Sequence, residues 1–204
     1  MRYVVMAVML ILIGPALMSQ EDSPKPTLSN EPLTNEQLAV YRAVLGNYLK
    51  DSDGKLNLAN RTDPLDRSRL SDGRCMKAVE QPTANSAQII HRIDSSSALG
   101  AEIVLVDPDR QRDRIEENDP QNLMKRAVDG HEEVTEKQVD DSVKHAFETG
   151  IFTLSEIVFD KEHRRAVVAY SFVCGMLCGN GSTLLLRKVG TKWTVSKTCG
   201  GWVS

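Results

Sequence analysis

The C-terminal residues 151–204 constrain the fold of this chain more than any other segment. Residues 174–181 have the sequence CGMLCGNG, so one short loop contains two cysteines and three glycines. Apolar and polar residues alternate before this loop and again in the two segments after it, which is typical of strands that bury one face. The pattern predicts an antiparallel meander with a turn that is pinned by cysteines.

The meander is predicted to have four strands, over residues 151–159, 165–174, 182–189 and 192–199. A two-residue turn at residues 190–191 pairs Leu186 with Val195, and continued alternation places Tyr170 beside Leu186. The predicted buried face consists of Val168, Tyr170, Phe172, Leu184, Leu186, Trp193 and Val195. The opposite face is partly polar, with Ser171, Thr183, Arg187, Thr194 and Ser196, and with Val167 and Leu185 as apolar exceptions. The buried face must be covered, and the first helix is the expected cover.

Weaker patterns earlier in the chain extend this picture to an α+β fold. Thr34 begins a helix, and Gln37 completes a capping box with it. The sequence further predicts strands over residues 55–60 and 103–106, a surface helix over 132–147, and either a helix or a strand over 86–93. The expected architecture is an N-terminal helix packed on an antiparallel sheet, with a C-terminal four-stranded meander.

The N-terminus predicts a secretory signal peptide. Arg2 supplies a positive charge, and residues 3–13 form an apolar run that is too short for a comfortable membrane span. Leu17 is bulkier than the small residue expected three positions before the cleaved bond, which leaves an uncleaved anchor as the alternative. The predicted organisation of a secreted or periplasmic protein is a signal peptide at residues 1–20, a flexible segment at 21–33 and a single domain at 34–204, without a stable membrane span after cleavage.

The composition argues against several classes of partner. A formal net charge of −3, thinly spread, favours neither nucleic acid nor an anionic membrane surface. Aromatic residues make up 5% of the chain, which argues against a platform for stacking carbohydrates or bases. The four cysteines of an exported chain are expected to be oxidised.

Cys174 and Cys178 are predicted to bond to each other. They flank three residues at a hairpin end, where glycines permit a tight ring. In the predicted register Cys174, Ser182 and Cys199 lie on one row, so Cys174 and Cys199 are two strands apart, about 9–10 Å, which is too far for a bond. That leaves Cys75 to pair with Cys199, although a slipped register would instead allow a Cys178–Cys199 bond. A metal or redox site at Cys174 and Cys178 lacks the ligands and spacing that such sites need.

The sequence predicts no catalytic signature, no cofactor site and no metal site. Residues 51–57 faintly resemble a calcium loop, but the glycine comes too early and a plain turn is expected. Residues 131–135 lack the second histidine of HExxH, and residues 179–182 match neither a nucleophile elbow nor a phosphate loop. The four histidines have no recurrent spacing: His91, His131, His145 and His163.

The C-terminal tail combines four short motifs: CGxLCGxG at residues 174–181, LxK at 186–188, KWxV at 192–195 and a terminal WVS at 202–204. Together they resemble a group of exported bacterial proteins of unknown function. Cys75, Cys199 and the middle of the chain depart from that pattern. The resemblance implies export, a similar fold and a self-contained Cys174–Cys178 pair, and it implies no activity.

Three hypotheses for the function follow. The first is a non-enzymatic exported protein, either a binding module or an envelope-associated module, because no catalytic constellation is recognisable. The second is a hydrolase whose site is assembled from scattered polar residues of the middle segment, such as His91, His131 or Asp107. The third is a redox or metal protein that uses Cys174 and Cys178. A pocket with clustered titratable groups would favour the second hypothesis.

Overall fold

The computed structural model of the protein describes residues 25–51, 54–66, 75, 89–130 and 133–204. The predicted signal peptide, the centre of the predicted turn at residues 51–57, residues 86–88 and His131 therefore lie outside the described residues.

Within the described residues the chain forms four helices: α1 (Asn35–Tyr48), α2 (Pro108–Glu117), α3 (Pro120–Gly130) and α4 (Glu136–Thr149). The strands of the same residues are β1 (Thr27–Leu28), β2 (Leu56–Ala59), β3 (Ile89–Ile90), β4 (Ile103–Val106), β5 (Ile151–Leu154), β6 (Val158–Phe159), β7 (Arg165–Gly175), β8 (Cys178–Val189) and β9 (Lys192–Val203).

The main sheet is mixed, with strand order β4-β2-β5-β7-β8-β9 and with β6 paired to β7. Strand β2 runs parallel to β4 and β5, whereas β5, β7, β8 and β9 are successively antiparallel. The predicted α+β fold with an antiparallel C-terminal meander is confirmed, but a wholly antiparallel sheet is wrong. Long connections, one of them containing α2, α3 and α4, return the chain to the same end of the sheet, so β5 runs in the direction of β2.

The register of the meander agrees with the prediction only beside the β8–β9 turn, up to Leu186, because two bulges then shift the pairing so that Ser182 faces Gly201. Leu186 pairs with Val195 as predicted. Tyr170 pairs with Ser182 and not with Leu186, because β7 and β8 continue up to a tight turn at residues 176–177. The displacement is an even number of residues, so the same side chains remain on the buried face. The predicted strand over residues 151–159 is divided into β5 and β6.

Helix α1 covers the apolar face of the meander, as predicted. Its capping box at Thr34 and Gln37 is present, and Tyr41 is fully buried with its hydroxyl donating to the Ser155 carbonyl oxygen at 3.0 Å. Five residues of the predicted face are at most 6% exposed: Val168, Phe172, Leu184, Leu186 and Trp193. Tyr170 and Val195 are half-buried at the border of the same cluster.

Helix α2 packs on the other face of the sheet, beside β2 and β5. Its Ile115 forms a second, small core cluster with Ala59 and Ile151. The sequence analysis does not predict α2, because Ile115 is its one aliphatic residue and a charged segment of that kind has no apolar stripe. Helix α4 begins at Glu136 and ends at Thr149, later at both ends than the predicted 132–147.

An ionic cluster fixes the start of α1 to the β8–β9 hairpin. Lys188 Nζ lies 2.6 Å from Glu36 Oε1, and His163 Nδ1 lies 2.7 Å from Glu36 Oε2. The His163 ring stacks on Phe159 at 4.9 Å, and Lys188 Nζ lies 5.5 Å from the centre of the Trp193 ring. The hydrogen bond from Lys188, and more weakly that from His163, lower the pKa of Glu36 against the opposing effect of partial burial.

Trp193→Ala is expected to be the most damaging single substitution in the C-terminal half. The side chain is 6% exposed and its ring packs against Phe159 at 5.7 Å, so truncation leaves a large cavity. Chemical denaturation should show a loss of about 3–5 kcal/mol in the free energy of unfolding. Val189→Ala on the same hairpin, where Val189 is 56% exposed, is the control and should change it by about 0.5 kcal/mol or less. A loss below about 1 kcal/mol for Trp193→Ala would contradict the assigned face.

The Glu36 cluster should make stability depend on pH. The pKa of Glu36 is lowered from its ordinary value of 4.5 in the folded protein, so the unfolded chain binds the proton more readily. The stabilisation is therefore present above that ordinary value and is lost as the pH falls through the folded pKa. Denaturant unfolding at a series of acidic pH values should show the difference between wild type and Glu36→Gln shrinking with falling pH. Glu133→Gln, at an exposed position, is the control. A difference for Glu36→Gln that stays constant across the series would contradict the assignment.

Candidate ligand groove

A groove of about 660 Å³ opens on the face of the meander opposite α1. Its floor consists of side chains that point away from α1 on three neighbouring strands: Thr153 on β5, Ala169 and Ser171 on β7, and Thr183 on β8. One wall is formed by Asp63, Pro64 and Asp66, and the opposite wall by Trp202 near the end of β9. Ser155, Tyr170, Ser182, Gly200 and Gly201 complete the described lining.

Strand alternation places the hydroxyl groups in this floor. Phe152 and Phe172 point into the core, so Thr153 and Ser171, each one position away, point into the groove. The two hydroxyls face each other across β5 and β7, with their oxygens 2.7 Å apart in a hydrogen bond. Thr183 is 4% exposed beneath the groove. The floor is therefore polar although it lies in the middle of the sheet.

Asp63 brings a carboxyl group to the edge of this floor. Its backbone continues the sheet beside β5, because its N–H donates to the Leu154 carbonyl at 2.8 Å and its carbonyl accepts from the Glu156 N–H at 2.7 Å. The Ser155 hydroxyl between these residues donates to the Glu156 carbonyl at 2.8 Å and accepts the Ala169 N–H at 2.8 Å. Ser155 therefore holds the scaffold together, and Asp63 is the acidic group of the wall.

The environment of Asp63 combines desolvation with nearby positive charge. Burial raises the pKa of the Asp63 carboxyl, and this rise is opposed by Arg112, by hydrogen bonding from Thr153 and by Arg61. Both arginines also pair with Asp109, Arg61 at 2.8 Å and Arg112 at 3.3 Å. The groove thus has a partly desolvated hydrogen-bond acceptor, the Asp63 carboxyl. The positive charges of the two arginines beside it offset the negative charges of Asp63 and Asp109.

Two glycines of β8 allow Trp202 to form the opposite wall. Gly181 pairs directly with Trp202, and a Cβ atom on Gly181 would lie 2.3 Å from the indole Nε1. A Cβ atom on Gly179 would lie 3.1 Å from Cη2 of the same ring. One side of the indole therefore rests on bare backbone. The glycines of the CGxLCGxG loop and the terminal tryptophan form one structural unit.

A disulfide bond between Cys75 and Cys199 lies next to the groove. The Cα atoms are 5.9 Å apart, and the bond joins positions 124 residues apart in sequence. Thr183 pairs with Gly200 while Leu184 pairs with Thr198, so Cys199 is the extra residue of a bulge in β9. The alternative Cys178–Cys199 bond is not the one formed. The predicted alignment of Cys174 with Ser182 is wrong, because Ser182 pairs with Tyr170.

Cys174 and Cys178 are bonded to each other, with Cα atoms 5.1 Å apart. The bond closes the β7–β8 hairpin and leaves Met176 and Leu177 74% and 70% exposed at its tip. Asp119, at the start of α3, accepts the Met176 N–H at 2.7 Å. The loop is therefore fixed both by its own cross-link and by a helix that the sequence analysis does not predict.

His91 belongs to a separate polar cluster. Glu156 Oε1 lies 2.9 Å from His91 Nδ1 and accepts the His91 backbone N–H at 2.8 Å. The Thr62 hydroxyl also donates to this carboxylate. Both the His91 and the Glu156 side chains are 17% exposed. A carboxylate that orients an imidazole is a feature of general-base sites, so this is the one observation that favours a catalytic role.

The described residues among the other candidates for a dispersed catalytic site do not join His91. Asp107 accepts two backbone N–H groups at the start of α2, at 3.1 and 3.0 Å, and is a helix cap. His145 lies on α4, and His163 belongs to the cluster around Glu36. His131 lies outside the described residues.

The described ranges contain neither a metal-binding cluster nor a membrane-spanning helix. Among these residues, no group of three or more His, Cys, Asp or Glu side chains is arranged to hold a metal ion. Of the helices that the structure describes, none is long and apolar enough to cross a membrane.

Comparison of the chain with protein-family models, with curated proteins and with solved structures finds no match. The resemblance of the C-terminal motifs to an exported family thus stays a prediction.

The sequence analysis assigns no function to the residues that form the groove. Ser171 and Thr183 are correctly placed on the face opposite the core, but Asp63 and Trp202 are distant in sequence from them and from each other. The usable signal is that two small residues, Ala169 and Ser171, occupy alternate positions of β7 on the face opposite the core. A surface facing a second apolar layer would have carried larger apolar residues there.

Proposed function

We propose that this protein is an exported, non-enzymatic binding protein and that the groove is its ligand site. The observation that carries the proposal is the convergence of Asp63, the Thr153 and Ser171 hydroxyls and Trp202 on one concavity of about 660 Å³. Ligand sites of small molecules are concavities of this size in which a few polar groups fix the orientation of the ligand.

The arrangement of hydroxyls in the groove supports binding over catalysis. No histidine is among its described lining residues, so no hydroxyl there has the imidazole base that a serine nucleophile needs. The Ser155 hydroxyl is already engaged with two backbone groups. The groove therefore offers hydrogen-bond partners and a flat aromatic wall, which are the elements of recognition.

Export is supported by the N-terminal sequence, by the C-terminal resemblance and by the cysteines. All four cysteines are paired in two bonds, which persist in oxidising compartments and are rare in the cytosol. The proposed location is therefore outside the cytoplasm, secreted or periplasmic.

A hydrolase is the second candidate, and it rests on the His91–Glu156 pair. In that case Glu156 would hold the imidazole in one orientation, and the base would act on a substrate beside His91, which follows β3 and is not among the described lining residues of the groove. Turnover of any ester or amide substrate that His91→Ala abolishes, with the fold intact, would favour this candidate over the binding protein.

The mature protein is expected to begin after Ser19 or Gln20 and to contain both disulfide bonds. Intact mass of protein recovered from the periplasm or medium measures the N-terminus, and non-reducing peptide mapping measures the Cys75–Cys199 and Cys174–Cys178 bonds. Full-length chain in a membrane fraction would contradict cleavage. Free thiols at Cys174 and Cys178, or stoichiometric zinc, would favour the redox or metal hypothesis.

Gly181→Ala is expected to damage the groove by displacing Trp202. The added Cβ would lie 2.3 Å from the indole Nε1 and 2.9 Å from the Tyr170 carbonyl oxygen, so the ring must move. A library of small polar fragments, followed by amide chemical shifts, should perturb residues 153, 171 and 183 in wild type and lose this effect in the variant. Gly46→Ala is the matched control, because a Cβ there meets nothing within 4 Å. Fragments that never perturb these residues would count against the groove as a site.

A further inference from the structure

We propose that the groove binds a neutral, polyhydroxylated ligand, a saccharide, and that Trp202 and Asp63 are its two anchoring side chains. The inference rests on the proposed function of the groove as a binding site and adds the chemical class of the ligand. It follows from the charge balance, the hydroxyl floor and the aromatic wall.

The charges at the Asp63 wall disfavour a strongly charged ligand. Arg61 and Arg112 both pair with Asp109 and both act on Asp63, so two positive charges offset two negative ones. A cation that approached Asp63 would be repelled by the charges of the two guanidinium groups that act on this carboxyl, and an anion would be repelled by the carboxyl itself. Asp66 adds one acidic group at the exposed rim, where solvent and salt screen it.

The floor offers both hydrogen-bond donors and hydrogen-bond acceptors, and a ligand hydroxyl group needs both because it donates and accepts. The ionised Asp63 carboxyl only accepts, and the Thr153 hydroxyl already donates to it while bonded to Ser171. The Ser171 hydroxyl can accept from a ligand, and the Thr183 hydroxyl can donate or accept. Thr153 and Ser171 are 2.7 Å apart, so a bound hydroxyl can join their hydrogen bond without leaving either group unsatisfied. A ligand with hydroxyls on adjacent carbons matches this spacing of acceptors and donors on neighbouring strands.

Trp202 supplies the apolar contact that sugar rings require. A pyranose ring has a face of C–H groups that packs on the flat face of an aromatic ring. The indole is held in place by Gly179 and Gly181 and is half-buried at the wall, so little side-chain entropy remains to be lost on binding. The low aromatic content of the chain argues against a repeated stacking platform, but a single groove needs only one ring.

Titration of the mature chain with cellotetraose, maltotetraose and the fully N-acetylated chitin tetrasaccharide, all of them neutral, tests the ligand class. At least one of them should shift the amides of residues 171, 183 and 202, with a dissociation constant of about 10 μM to 1 mM. Because the ligand is neutral, affinity should not change with salt concentration. Choline and spermidine, titrated in the same way, are the cationic comparison.

Two variants locate the binding. Ser171→Ala should weaken it about three- to tenfold, as expected for one hydrogen bond, and Trp202→Ala at least about tenfold through lost aromatic contact. Ser196→Ala, at an exposed position of β9 outside the groove, should leave affinity unchanged. The midpoint of denaturant unfolding shows for each variant whether the fold is retained. If Trp202→Ala does not fold, the affinity of Ser171→Ala alone tests the location of the site.

Each outcome has a definite meaning. Shifts of the groove amides by choline or spermidine but by no saccharide would overturn the ligand class and leave the groove as a binding site. Saccharide binding that neither Ser171→Ala nor Trp202→Ala weakens would place the site elsewhere and overturn both proposals. Both proposals are also overturned if none of the five compounds shifts a groove amide at about 10 mM. A dissociation constant above that concentration corresponds to a binding free energy weaker than about 3 kcal/mol.

Discussion

The two faces of β7 are the constraint on which the rest of the structure depends. On one face, Val168 and Phe172 are buried beneath α1. On the other, Ala169 and Ser171 are small and line the groove. Removal of apolar surface from water is the main stabilising contribution to folding, so α1 packs on the first face, where Val168 and Phe172 belong to the main core. Helix α2 covers the second face near β2, β5 and Val173 of β7, and the groove lies beyond it.

The cysteine-glycine loop acts in this fold as a support for the site. Its glycines leave the backbone of β8 bare, and the indole of Trp202 occupies the space that side chains would have filled. Its disulfide bond closes the hairpin, and Asp119 holds the tip against α3. The CGxLCGxG loop therefore determines the position of the Trp202 ring, which is the aromatic wall of the groove. The Cys75–Cys199 bond cross-links β9 on the adjoining side of the same groove.

Polar clusters join distant segments of the chain to the sheet. Glu156 collects hydrogen bonds from Thr62 and from both the backbone and the ring of His91, and this ties the middle segment to the loop after β5. Glu36 contacts both Lys188 and His163 through its two carboxylate oxygens, and these contacts connect α1 to the β8–β9 hairpin. A partly buried carboxylate is costly unless several donors satisfy it, which explains why each of these glutamates has more than one partner.

The sequence by itself determined the meander, its buried face and the first helix, because alternation and capping act between residues that are close along the chain. It also placed Ser171 and Thr183 on the face opposite the core, without assigning a function to them. Only the tertiary structure decided that β2 and β5 run parallel, that Asp119 meets the cysteine loop and that Asp63 and Trp202 face one groove. Those relations join positions far apart in sequence. They depend on how helices with almost no apolar pattern, α2 above all, return the chain to the sheet, and no local periodicity records that path.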